Sequence, residues 1–504
     1  MVIMAQSEAQ SVARPTARPN IVFILIDDMG WRDIGCYGSP FYETLHLDKL
    51  AASGVRFSDA YATCPVCSPT RASVMSGKYP ATVGVTNFIG PREKKPDNEL
   101  VDLSGKKLID APFTGDARGK LLDAPYTRYL PLSEVSLASA LREGGYRTWH
   151  VGKWHLGGEE YYPEHHGFDV NIGGCNWGMP RKGYYSPYGI TTLAEGPAGE
   201  YLTDRITDEA IRLIQEGKDD EQPFFLNLWH YAVHTPIQPP PGTLVEKYEA
   251  KAAALGLDES AALVEGELFP CEHMKNLRVT RRQFQSNPQY AAMVEHLDAC
   301  IGRLLEALED SGKLDNTWIF FTSDNGGLST SEGSPTSNAP LHEGKGWMYE
   351  GGVREPLVVS GPGLASPGSL CDVPVTATDF YPTFLELAGL PLRPGQHVDG
   401  VSLAGLLRGG EKQLAREAIF WHYPHYGNQG GTPGSSVRMG DYKLIEFFED
   451  GRLELYNLRE DQGEHHNLAA EKPELAQRLH RRLVEWRESI EAKIPEVNPD
   501  YVPW

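Results

Sequence analysis

Apolar residues along this chain fall into two periodicities. From Asn20 the sequence runs IVFILI into Asp27-Asp28-Met29-Gly30. A continuous apolar run closed by acids and glycine predicts a strand buried on both faces of a parallel sheet. Residues 316–322 (NTWIFFT) repeat the pattern and end in Ser323-Asp324-Asn325-Gly326-Gly327, and Phe224 to Trp229 is a third run, opening into a loop with His230 and His234. Open α/β sheets keep their chemistry at the carboxyl ends of the strands, which is where these runs deliver polar side chains.

Elsewhere apolar residues recur at spacings of three and four: Leu132, Val135, Ala138 and Leu141; Leu202, Ile206, Ala210 and Ile214; and Tyr290 through Leu308. Such spacing lines one face of a helix. Strands alternating with helices predict an α/β fold, a mostly parallel sheet flanked by helices. The Gly- and Pro-rich stretches 94–120, 173–200 and 326–346 predict long surface loops suited to recognition. Near residue 400 the texture changes: 437–448 and 453–456 predict a small antiparallel sheet, and 474–490 a closing amphipathic helix. The expected organisation is an N-terminal extension (1–19), a main catalytic α/β domain (20–400) and a smaller subdomain (401–504) contributing to the pocket. No internal repeat is evident.

Composition narrows the function. The chain has 504 residues, 40% hydrophobic and 23% charged, which suits a globular protein of several domains. With 47 basic against 68 acidic residues the formal charge is -21, which disfavours non-specific binding to nucleic acid or an anionic membrane. Any anionic substrate needs a local positive pocket. The seven cysteines are widely spaced and do not form a disulfide framework. Only Cys64 and Cys67 make a C-x-x-C, whose bland readings are a redox pair or half a zinc site. The N-terminal stretch has no apolar signal core and no run is long enough to span a bilayer. The expectation is a cytoplasmic protein, periplasmic if a signal has been removed.

The segment CPVCSPTRASVMSG, Cys64 to Gly77, is the most informative. Pro69 suits a helix's first turn, which places Cys67 at a helix N-terminus with Arg71 one turn on. A thiol there is expected to have a lowered pKa. Asp27-Asp28 and Asp324-Asn325 offer the oxygen ligands of a hard divalent cation, Ca²⁺ or Mg²⁺. Lys153 and His155 in GKWH, His234 before Thr-Pro, and Lys345 supply positive charge. With Arg71 and a metal they could neutralise a tetrahedral oxyanion.

These motifs resemble the sulfatase family: CSPTRASVMSG its signature, the strand followed by Asp27-Asp28-Met29-Gly30, Gly152 to His155, His234 before Thr235-Pro236, Ser323 to Gly326, Lys345, and the closing ELYNL at 454–458. With the Asn467-Leu468 that follows, they run in family order from residue 20 to 468. The resemblance implies an alkaline-phosphatase-like fold and conversion of Cys67 to formylglycine by a maturation enzyme. It also implies a cation, usually Ca²⁺, held by Asp27, Asp28, Asp324, Asn325 and the modified residue 67. In the mechanism it implies, one hydroxyl of the aldehyde hydrate attacks sulfur, the alcohol leaves by S–O cleavage, and the second hydroxyl expels sulfate. Arg71 and Lys153 would then hold residue 67, His155 would take the proton of the elimination step, and His234 with Lys345 would contact the bridging oxygen and sulfate, His234 being the expected general acid.

The alcohol is expected to be a sulfated carbohydrate, with small aryl sulfates accepted. Aromatic faces next to polar donors suit a sugar ring. The candidates are Trp177, Arg181, Tyr184, Tyr185 and Tyr188 in one loop, and Trp421, His422, His425 and Tyr426 in WHYPHY. The plainer reading is that some of these, Tyr184 and Tyr185 above all, pack the loop. Alternatives are an arylsulfatase with a non-sugar substrate, a phosphodiesterase or phosphonate monoester hydrolase of the same superfamily, and a non-catalytic binding protein.

Overall fold

A nine-stranded sheet carries the chain's apolar runs. Its order is 369–371, Val55–Tyr61, Arg354–Ser360, Thr317–Ser323, Asn20–Ile26, Phe224–Trp229, Arg147–Gly152 and Val170–Ile172, with 375–376 also paired to Val55–Tyr61. The computed structural model describes residues 18–90, 93–94, 100–101 and 119–502, so most of the 1–19 extension and of the 94–120 stretch lies outside the described residues. Asn20–Ile26 pairs in parallel with both Thr317–Ser323 and Phe224–Trp229, putting the three apolar runs side by side with their carboxyl ends together. All three are buried along their whole length. Arg354–Ser360 is antiparallel to both its neighbours, so the sheet is mixed and mostly parallel.

The helices follow the three-and-four spacing with shifted ends. Leu202–Glu216 buries Leu202, Ile206, Ala210, Leu213 and Ile214, and Pro288–Asp310 starts at Asn287, whose side chain accepts from Gln289 N and Tyr290 N. The Leu132 helix starts later, at Leu137, because Ser136 caps it by accepting from Ser139 N. Leu132 is left exposed.

The C-terminal residues form a four-stranded antiparallel sheet, Ile419–Tyr423, Gly434–Met439, Tyr442–Phe447 and Leu453–Asn457, covered by the helix Pro473–Ser489. The expected strand at 437–448 is therefore a hairpin turning at Gly440, where φ is 57°. Two of the anticipated surface loops are partly interior. In 326–346, Leu328, Thr336, Asn338 and Lys345 are buried, and Asn338 Nδ2 donates to the carbonyls of Gly327 and Glu343. In 173–200, Cys175, Tyr184 and Tyr188 are buried.

Buried charge joins the small sheet to the large one. Lys443 Nζ lies 2.9 Å from Glu350 Oε1 and 3.1 Å from Glu464 Oε1, with all three side chains out of solvent. Tyr61 donates to Glu350 Oε2 at 2.8 Å, and Asp59 pairs with Arg438 at 2.6 Å and Arg354 at 3.1 Å. Removing one member of such a set strands the others in a medium that does not solvate them. Lys443→Met is expected to cost about 3–5 kcal/mol. Glu350→Gln in the same chain should recover part of that loss, both read as apparent Tm.

The helices Leu202–Glu216 and Pro288–Asp310 are clasped by His296 Nε2 on Asp204 Oδ2 at 2.9 Å. Burial works against the imidazolium, but Asp204 and Cys300 outweigh it and raise the His296 pKa from 6.5 to about 9. Because the folded value is the higher, the contribution is complete below about pH 6.5 and is lost as pH rises through about 9. His296→Ala should therefore lower the apparent Tm more at pH 6 than at pH 10.

Candidate active site

Four strand ends and one helix start meet at the carboxyl edge of the large sheet. Asn20–Ile26 delivers Asp27 and Asp28, Thr317–Ser323 delivers Asp324 and Asn325, Arg147–Gly152 leads to Lys153 and His155, and Phe224–Trp229 leads to His234. The helix Cys67–Ser76 begins at Cys67 itself. Lys345 closes the group from the 326–346 segment, tied by its N–H to Gly327 O at 3.1 Å. Asp28 and His155 hold left-handed backbone, φ 63° and 60°, a strain that gathers at functional sites. Gly326 permits close packing behind the site, since a Cβ there would lie 1.8 Å from Gly351 O.

The acids and bases are interlocked and buried. Lys153 Nζ reaches Asp27 Oδ2 at 2.6 Å, Arg71 reaches Asp324 Oδ2 at 2.7 Å and Asp27 Oδ1 at 3.7 Å, and Lys345 Nζ reaches Asp28 Oδ2 at 2.8 Å. Burial, then Asp324 and Asp28, push the Asp27 carboxyl up against the pull of Lys153 and Arg71. Burial also acts on Asp28, but His234, Lys345 and Lys153 outweigh it and hold that carboxyl below the usual range. For Lys345 burial is outweighed chiefly by Asp28, which keeps the ammonium above the usual lysine range.

Two histidines flank the group with opposite ring faces inward. His155 Nε2 is 2.8 Å from Ile89 O, and a carbonyl only accepts, so the proton sits on Nε2. Nδ1 is left as an acceptor, 3.2 Å from Cys67 Sγ. Burial, then Lys153, keeps this imidazole neutral by lowering its pKa well below the ordinary value. His234 Nδ1 lies 2.8 Å from Thr235 O, and its Nε2 lies 3.0 Å from Lys345 Nζ. Burial lowers the His234 pKa too, with Asp28 opposing and Lys345 and Lys153 assisting.

The oxygen set fits a hard divalent cation. Ligand atoms of Asp27, Cys67 and Asp324 lie within 4.8 Å of one another, as do those of Asp27, Asp28 and His234. Among the described residues, Asp27 Oδ1 and Asn325 Oδ1 are buried acceptors without a hydrogen-bond donor. Carboxylate and amide oxygens left in that state are what calcium takes.

A cavity of about 550 Å³ opens over this floor, lined by Cys67, His155, His234 and Lys345 below and by Val66, Phe88, Ile89, Gly90, Gly178, Met179, Arg181, Glu332, Asn428 and Gln429 around. The volume suits a small organic ligand.

Two expectations about the nucleophile region change. Burial, helped by Asp27 and Asp324, raises the Cys67 thiol pKa despite Lys153 and Lys345, so the helix start does not yield the lowered value expected of it. Arg71 turns to the carboxylates, its Nε donating to Asp324 Oδ2 at 2.8 Å and its Nη1 to Lys153 O at 3.1 Å.

Of the proposed substrate residues, Arg181 lines the cavity and Trp177 stacks beneath its guanidinium at 4.9 Å. The other candidates pack the interior. Tyr184 is fully buried and donates to Tyr231 O and His234 O, Tyr185 donates to Pro239 O, and Tyr188 donates to Glu200. Trp421 lies inside the Ile419–Tyr423 strand with its indole N–H on Ala62 O at 2.8 Å. His422 is held by Ser435 and Lys493 O, His425 by Thr86, and Tyr426 by Glu449. Apart from His425, whose Nδ1 is buried 3.6 Å from Asp123 Oδ1 without a hydrogen bond among the described residues, each ring satisfies its polar atoms within the protein, and none of them lines the cavity. The lining residues Phe88, Ile89, Met179, Glu332, Asn428 and Gln429 were not anticipated. Met179 and Glu332 lie in the 173–200 and 326–346 stretches already marked as recognition loops, glycines flank Asn428 and Gln429, and nothing in the sequence marked Phe88 or Ile89.

A model of the sulfatase family matches residues 19–390, and a second, described as N-sulphoglucosamine sulphohydrolase, C-terminal, matches 342–489. A sulfatase of Formosa agariphila is 32% identical, covering 96% of this chain and 91% of that protein. Arylsulfatase A of Homo sapiens is 29% identical, covering 95% and 89%. The crystal structure of Ps i-CgsB in complex with k-i-k-neocarrahexaose is 26% identical, covers 97% of this chain and 95% of its own, and superposes with a TM-score of 0.68. With the family match running through most of its length, this chain is an enzyme of the sulfatase family.

Proposed function

We propose that this sulfatase hydrolyses the sulfate monoester of a carbohydrate at a formylglycine made from Cys67, beside a Ca²⁺ held by Asp27, Asp28, Asp324 and Asn325. The observation that carries the reading is the place of Cys67: a helix start 3.2 Å from the acceptor nitrogen of His155, within 4.8 Å of Asp27 and Asp324 oxygens, on the floor of a cavity lined by Lys345 and His234. The sugar reading is supported by the carbohydrate names of the C-terminal family model and of the Ps i-CgsB complex.

Hydrated formylglycine supplies two hydroxyls on one carbon, one to attack sulfur and one to expel sulfate with return of the aldehyde. A bound Ca²⁺ supplies positive charge that lowers the pKa of the attacking hydroxyl and polarises the sulfate. Lys345, whose ammonium lies 3.0 Å from His234 Nε2, is the group that faces the ester with a proton to give to the departing alcohol oxygen. His234, with its own proton held on Thr235 O and its pKa lowered by burial, orients that ammonium and is not the general acid expected of it. His155 accepts the remaining hydroxyl proton at Nδ1, its other nitrogen being fixed on Ile89 O. Arg71 and Lys153 hold the Asp324 and Asp27 carboxyl groups in place through contacts of 2.7 and 2.6 Å.

Cys67→Ala is expected to keep binding a sulfated ligand while losing kcat by more than about a thousandfold. Mass spectrometry of the wild-type peptide spanning residue 67, made with a formylglycine-generating enzyme, should show the deficit of a thiol replaced by an aldehyde. An unmodified thiol there, or a preference for the matched phosphate ester, would remove the assignment. Asp324→Ala should lose the metal by elemental analysis. Full stoichiometry in that variant would exclude Asp324 as a ligand.

A further inference from the structure

We propose that Glu332 selects the alcohol half of the substrate: aimed by Asn428 and Gln429, it accepts from a free hydroxyl next to the sulfated carbon and disfavours a second anionic group there. This rests on the sulfatase reading above and adds to it the group that discriminates among substrates.

Glu332 stands at the cavity wall in left-handed backbone, φ 54°, followed by Gly333 at 86° and Ser334 at 42°. Side-chain residues keep that conformation where their surroundings over-determine it. Here the carboxylate is the anchor. Oε1 accepts from Gln429 Nε2 at 2.8 Å and Asn428 Nδ2 at 3.2 Å, and Oε2 accepts from Thr235 Oγ1 at 3.2 Å. Three separate segments, following Phe224–Trp229, following Thr317–Ser323, and within the C-terminal residues, therefore converge on one exposed acid.

Its position relative to the reacting bond follows from the same contacts. Thr235 Oγ1 also lies 3.2 Å from His234 Nδ1, while the opposite ring nitrogen faces Lys345. If the bridging oxygen meets the His234 and Lys345 pair, Glu332 sits one side chain outward, beside the carbon bearing that oxygen and its neighbours. A carboxylate in that place opposes the charge of a sulfate ester, so it adds nothing to holding the sulfate. It is an acceptor with lone pairs to spare, and charge-assisted hydrogen bonds from O–H groups are the strong ones. A second sulfate or a carboxylate at the same spot meets like charge. Phe88, Ile89 and Met179 leave an apolar wall for the C–H face of a ring.

The test compares kcat/KM of wild type and Glu332→Gln, each with residue 67 converted, on a singly sulfated hexose, the same hexose with a neighbouring second sulfate, and 4-nitrophenyl sulfate. The sugar-to-aryl ratio is expected to fall at least about tenfold in Glu332→Gln, mainly through KM, with the gap between singly and doubly sulfated hexose narrowing. Asn428→Ala should move the same ratios the same way by a few-fold, and it decides the matter if Glu332→Gln does not fold. Equal losses on all three esters would make Glu332 a support of the loop, and unchanged ratios would deny it any selecting role. Either overturns the proposal. A wild type active on the aryl ester and on neither sugar also overturns it, leaving the chemistry of residue 67 intact. Inactivity on all three overturns that chemistry and this assignment together.

Discussion

Three carboxylates and three side-chain cations share one buried space at the carboxyl edge of the sheet, and neither set could be buried alone. Asp27, Asp28 and Asp324 are matched by Arg71, Lys153 and Lys345, every one of them nearly or fully out of solvent. The cost of removing an ion from water is large, and it is offset here by short, several-fold contacts. The fold arranges this by pairing the three apolar strands in parallel register, so that acids on adjacent strands arrive together.

Balance of the side chains explains what a divalent cation and an anionic ester would each do in this place. Without them the charges already cancel pairwise. A bound cation leaves a surplus of positive charge, and a sulfate ester entering the cavity meets that surplus instead of the protein's overall negative field. The histidines add direction. Each has one nitrogen committed to a backbone carbonyl, and so presents a defined face to the site.

Much of this was legible in the chain, and the reason is physical. Continuous apolar runs ending in acids encode strands whose ends carry chemistry, and the three runs did form adjacent strands. The helix beginning at Cys67 was readable from Pro69. Environment was not readable. The thiol pKa depends on burial and on the carboxylates of Asp27 and Asp324, which stand at strand ends elsewhere in the chain, and local spacing does not report either. WHYPHY failed for a related reason: aromatic and histidine side chains serve a core or a sugar equally well, and a partner such as Ala62 O for Trp421 is known only once the chain has folded. Glu332 escaped notice because an acid in a Gly-rich loop is ordinary until its backbone angle and its three donors are seen.

The charge lock formed by Glu350, Lys443 and Glu464 bears on how the chain's parts can be exchanged. Gly351, next to Glu350, packs against Gly326 behind the acidic strand end, so the lock and the site share a wall. A graft that imported the small sheet of a relative would have to bring a cation at the Lys443 position. Otherwise it would bury Glu350 Oε1 without its ammonium, leaving only Tyr61 and Arg354 on the other oxygen, directly behind the residues that do the chemistry.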